Sequence, residues 1–84
     1  MRATVVLVNQ NRGMVAAKTE DGEYSIFELL GGYEVEVGDV VSSRDFHSMG
    51  GETYRNVTKG EDISVYVQNV VGSIEQARRQ VFLA

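Results

Sequence analysis

The chain has 84 residues and carries 12 acidic against 8 basic side chains, a formal net charge of −4, with no cysteine. A chain this short makes one domain with a modest core, since small domains bury a smaller share of their surface than large ones. Disulfides and thiolate zinc sites are excluded, a reducing compartment suits the composition, and the acidic balance is a handicap for gripping a phosphate backbone.

Val5 to Val8 is an apolar run of mostly β-branched residues and predicts a strand. Asn9 to Gly13 reads as a turn, and Met14 to Thr19 as the second strand. Glu20-Asp21-Gly22 then carries the Asp-Gly signature of a tight hairpin. Glu23 to Leu30 is the third strand, with Ser25, Phe27 and Leu29 on one face and Tyr24, Ile26 and Glu28 on the other.

Gly31-Gly32 interrupts the pattern. "YEVEVGDVV" resumes it, with Val35 and Val37 alternating against Glu34 and Glu36, a turn at Gly38-Asp39 and a strand beginning at Val40. Ser42 to Gly51 is polar and ends in glycine, so it predicts a long loop or a ragged strand end. Glu52 to Thr58 predicts a strand, Lys59 to Asp62 a turn, and Ile63 to Val71 a long strand with Ile63, Val65 and Val67 on one face. Ser73 followed by Gln76 fits a capping box. Ile74, Ala77, Val81 and Phe82 lie close to one stripe of the helix that follows. A helix of about eleven residues is marginal in water by itself, so this one must dock on something. The elements predict a mainly β fold, a small antiparallel barrel of five to six strands with a short C-terminal helix.

Four stretches carry a family resemblance. "VVLVNQNRGMVAA" (Val5 to Ala17) aligns without a gap to V-K-W-F-N-x-x-K-G-F-G-F-I, matching at Val5, Asn9, Gly13 and, conservatively, Arg12. "YSIFELL" sits where the pattern has D-V-F-V-H-F-S, "VEVGDVV" resembles L-x-x-G-x-x-V, and "YRNVT" resembles A-x-N-V-T. In that order they resemble the cold-shock domain, an OB-fold barrel that binds single-stranded RNA or DNA. The resemblance covers roughly Arg2 to Lys59. It implies a single domain in which residues 1–59 form the cold-shock-like barrel and residues 60–84 add a strand and helix packed on it.

The departures bear on function. The family's base-stacking positions correspond here to Leu7, Met14, Ala16, Ile26, Glu28 and Leu29, none of them aromatic. The loop after the third strand is shorter, which removes a further stacking position unless Tyr33 substitutes. Each base–aromatic stack is worth ~1–3 kcal/mol, so losing three at the low end costs on the order of 100-fold in affinity. Two readings follow. In the first, the face has become an apolar contact patch of Leu7, Met14, Ala16 and Ile26, covered by a protein partner, a second copy in a homodimer, or the chain's own terminal helix. In the second, the chain keeps weak, salt-sensitive binding to single-stranded RNA or DNA through Arg12, Lys18, Tyr24 and Arg55.

The sequence supplies no catalytic constellation and implies neither metal nor cofactor, so a non-enzymatic binding module is expected. His47, in "RDFHSMGG" near Asp45 and Ser48, reads as a solvated loop side chain, and no nucleophile elbow accompanies it. The doublets Gly31-Gly32 and Gly50-Gly51 lack phosphate-loop spacing. Tyr54 and Tyr66 read as cross-strand packing, and Arg78-Arg79 as a solvated helix face. Nothing near Arg2 resembles a signal peptide, and the longest apolar runs are four residues against the ~20 that span a bilayer. A cytoplasmic protein with no membrane contact is expected.

Overall fold

The computed structural model describes residues 1–83. The architecture is mainly β, a closed antiparallel barrel of six strands with one short C-terminal helix. The strands are β1 (Arg2–Asn9), β2 (Met14–Thr19), β3 (Tyr24–Leu29), β4 (Val40–Ser42), β5 (Gly50–Asn56) and β6 (Glu61–Val71). They close in the order β1-β2-β3-β6-β5-β4, with β4 returning to β1. The last strand, β6, comes from beyond residue 59 and pairs with β3 on one side and β5 on the other, so it is part of the barrel wall.

The first three strands form the expected meander. Gly13 and Gly22 hold φ of +65° and +84° at its two turns, a backbone region that side chains other than glycine seldom enter. Alternation sends Ala3, Val5, Val15, Ala17, Phe27, Ile63, Val65 and Val67 into one interior cluster. The ring of Tyr54 lies edge-on to both Phe27 and Phe46, at centroid distances of 5.1 and 5.2 Å, the arrangement that aromatic quadrupoles favour. Phe46 comes from the polar Ser42–Gly51 stretch and is nonetheless fully buried.

One expectation from the alternating pattern needs correction. Residues 33–37 form no strand, since none of the barrel's ladders includes them. Val35 drops into the core while Val37 is 65% exposed. Chain direction there is set instead by backbone hydrogen bonds from Gly38 to Val5 and from Val5 to Asp39, each 2.8 Å. In β1 the register with β2 slips between Val5 and Leu7. That bulge turns Val6 and Leu7 both outward before Val8 faces the interior again.

The helix runs from Ile74 to Arg78 and continues as a π-helical turn over Arg79–Leu83; Ala84, which the sequence reading included in it, lies outside the described residues. Ser73 caps it, its hydroxyl oxygen accepting from the Gln76 backbone N–H at 3.2 Å. The Gln76 side chain accepts from the Ser73 hydroxyl rather than reaching the backbone. Ala77 and Val81 are buried. Phe82, which the sequence places close to the same stripe as Ala77 and Val81, lies in the π-helical turn, where the 3.6-residue period no longer applies, and is 43% exposed.

Candidate interaction surface

The outside of the sheet is built in rows across the strands. Asn9, Met14, Glu28, Tyr66 and Gly51 are successive register partners from β1 to β5, and Leu7, Ala16 and Ile26 form the next row. Met14, Ala16 and Ile26 are buried with Val71, Ala77 and Val81 in a second apolar cluster, with Leu7, Val6 and Tyr24 packed against it. Thus four consecutive residues of β2, Met14 to Ala17, are buried, because the barrel interior takes one face and the helix covers the other. Of the three covers weighed from the sequence, this structure holds the terminal helix.

The turn between β1 and β2 fastens the far end of that helix. The Asn9 side-chain amide donates to the Val81 carbonyl at 3.0 Å, and the Arg12 guanidinium reaches the same oxygen at 3.5 Å. A carbonyl near a helix C-terminus lacks an intrahelical donor, so these side chains supply one.

The four basic and aromatic candidates do not converge. Lys18 and Tyr24 are direct cross-strand partners, but Tyr24 packs on the helix-covered cluster and Arg12 is turned toward the helix. Arg55 lies on β5, three strands around the ring from β2 in either direction, and pairs with Asp62 at 3.2 Å. Glu28 is half-buried on the outer face, and Leu29 faces the interior. The Tyr33 hydroxyl oxygen accepts the Ser64 backbone N–H at 3.1 Å, and hydrogen bonding with the Ser64 side chain and then its backbone holds the phenol below its usual range. His47 is exposed, with Nε2 2.9 Å from Glu23 and Nδ1 3.7 Å from Asp45. The Ser48 hydroxyl donates to Glu52.

Sequence reasoning missed an ionic cluster, centred on the buried Asp39 and Asn56, that joins two of the family-like motifs. Asp39, of "VEVGDVV", accepts from Lys59 Nζ at 2.8 Å, from Asn56 Nδ2 at 3.0 Å and from the Glu36 backbone N–H at 3.1 Å. Asn56 and Thr58 belong to "YRNVT", and the Thr58 hydroxyl accepts the Val40 N–H at 2.8 Å. Lys59 also meets Glu36 at 2.7 Å. Burial alone pushes the Asp39 carboxyl up, but the hydrogen bonds from Lys59, Asn56 and Glu36 outweigh it and hold the group below the usual carboxylate range. Hydrogen bonds to Asp39 and Glu36 raise the Lys59 ammonium correspondingly. The cluster pins the turn after β5 to the start of β4, which makes it structural.

What stays open is the outer face of β3, β6 and β5. Leu30 is 54% and Tyr66 47% exposed. Leu30 lines a shallow depression of about 550 Å³ with Gly51, Thr53 and Ser64, and Tyr66 stands beside Gly51 in register. Beyond Tyr66 a cleft of about 390 Å³ between sheet and helix is lined by Arg12, Met14, Glu28, Gln68 and Gln80. The ion pairs among the described residues use Glu23, Glu36, Asp39, Asp45 and Asp62, so Glu28 keeps an unpaired charge next to the Tyr66 ring. Among the described residues no group of three His, Asp or Glu is placed to hold a metal ion, and no helix is long and apolar enough to cross a membrane. Comparison with protein-family models, with curated proteins and with solved structures finds no match.

Proposed function

We propose that the chain is a non-enzymatic, OB-fold-like binding module of the cytoplasm that docks a protein partner on the outer face of β3, β6 and β5. One observation carries this reading: the chain's own helix seals the aliphatic face at Met14, Ala16 and Ile26, while Leu30 and Tyr66 stay bare on the neighbouring face. An exposed apolar patch with a polar margin marks a contact surface, and tyrosine is favoured at such sites for its large, stiff and amphipathic ring. The floor of Gly51, Thr53 and Ser64 is low and permits close approach.

Charge selects among partners. The chain carries −4 overall and Glu28 is unpaired beside Tyr66, so a partner surface with basic side chains is steered toward this face and an identical acidic copy is repelled. The sequence matches at Asn9, Gly13, Asn56 and Thr58 favour a cold-shock-like reading of the barrel: Gly13 sits at the turn between β1 and β2, and Asn56 and Thr58 tie the end of β5 to the start of β4.

The experiment is a binding selection from a peptide library sorted by net charge, with oligo-dT and oligo-U measured alongside. Basic peptides enriched by the protein and lost on Tyr66→Ser support the reading. Enrichment indifferent to peptide charge, or an oligonucleotide bound more tightly than any peptide, overturns it.

A further inference from the structure

We infer that the C-terminal helix is a reversible strap, lifting from the barrel in openings that leave the β-sheet intact. Ten residues, Ile74–Leu83, are ordered by this contact. They bury fully two side chains, Ala77 and Val81, one of which is only a methyl group. Ordering costs accrue with every residue held, whereas the return scales with the apolar area removed from water.

The attachment is sparse at both ends. At its start the chain turns through Gly72 and Ser73, and Ser73 is hydrogen-bonded only within the helix's own first turn, to Gln76 and to the Ala77 N–H. At its end the tie is the Val81 carbonyl, held by Asn9 at 3.0 Å and by Arg12 at the outer limit of hydrogen-bonding distance. The π-helical turn over Arg79–Leu83 adds a stretch of a rare geometry. By contrast, β2 and β3 are held by ladders on both sides and by the whole interior cluster. Segments with few buried contacts open first and independently. Lifting the strap uncovers Leu7, Met14, Ala16 and Ile26 while the barrel persists, and the occupant of that face is the chain's own helix, which leaves and returns.

Two measurements test this on the full chain. In native-state hydrogen exchange, the helix amides, Ala77 among them, are expected to exchange at least 100-fold faster than those of Val15 and Phe27. Separately, Ala16→Cys places a thiol under the strap and Val65→Cys places one inside the barrel. The first is expected to react with an alkylating reagent under conditions where the second does not. Adding Asn9→Ala, which removes the better tie, is expected to accelerate that labelling roughly 2- to 10-fold, the worth of one hydrogen bond. Helix amides that exchange only together with the barrel strands overturn the inference, as do equal labelling rates for the two thiols.

Discussion

Asp39 keeps its charge inside the protein because three donors converge on one of its oxygens. Its folded-state pKa lies below the unfolded value of ~4, so the stability it contributes is present above that pH and is lost as pH falls through the folded pKa. Asp39→Asn keeps the shape and removes the titration, and a urea series across the acid range is expected to show a weaker pH dependence than for the native chain. Asp39→Ala leaves the Asn56 amide and the Glu36 N–H without an acceptor and is expected to cost about 2–4 kcal/mol at neutral pH. Phe46 makes a second test at this scale. It lies outside every strand yet is fully buried against Tyr54, so Phe46→Ala is expected to cost about 3 kcal/mol. Phe82→Ala, at an exposed ring, is expected to stay within about 0.5 kcal/mol; chemical unfolding of both variants checks the contrast. Neither Asp39 nor Phe46 was legible as a core residue: one looks like a turn residue and the other stands alone in a polar stretch, and only distant strands give them their burial.

Individual elements were readable where the determining contacts are local. The Asp-Gly hairpin, the even alternation of Ile63, Val65 and Val67, and the Ser73 cap each need only a few neighbouring residues to form. Val35 and Val37 alternate just as well, but a strand also needs a partner edge, and none is offered to residues 33–37. The outward bulge at Val6 and Leu7 depends on how β1 meets β2, which the run of valines leaves open. The helix brings a prediction that follows from its loose attachment. A substitution under the strap can cost no more than the free energy of lifting it, since the opened protein loses nothing further. Val81→Ala is therefore expected to cost less than about 1.5 kcal/mol, whereas Val65→Ala inside the barrel is expected to cost about 2–4 kcal/mol. Thermal unfolding of the two variants checks this. Deleting residues 73–84 is expected to leave the barrel's circular dichroism intact while light scattering rises, because the aliphatic face is then exposed in every molecule.

At the scale of the whole molecule, the order of the strands decides what a long ligand can touch. The sequence indicated the barrel class, since six short β segments and glycine turns have few other ways to bury one face each. Its circular order is a tertiary property, and that order separates residues which look like one basic set when written in a line. Arg12 precedes β2 and Lys18 lies within it, Arg55 is on the opposite wall paired with Asp62, and Lys59 is engaged by Asp39 and Glu36. No single-strand path joins them. A chain of phosphates crossing this surface would meet Glu28 and the unpaired negative charge of an acidic domain before gathering enough cations to release its counterions. With the stacking positions occupied by Leu7, Met14, Ala16 and Ile26 and all four drawn into the helix cluster, bases find little flat surface. Anisotropy titrations with labelled oligo-dT are therefore expected to give a Kd of roughly 100 μM or weaker at physiological salt, which corresponds to about −5.5 kcal/mol. Whatever binding remains at low salt is expected to drop on Arg12→Ala/Lys18→Ala and to ignore Arg55→Ala. Sub-micromolar binding, or equal sensitivity to all three positions, would mean that a ligand reaches both walls at once, which this strand order forbids for a single strand lying on one face.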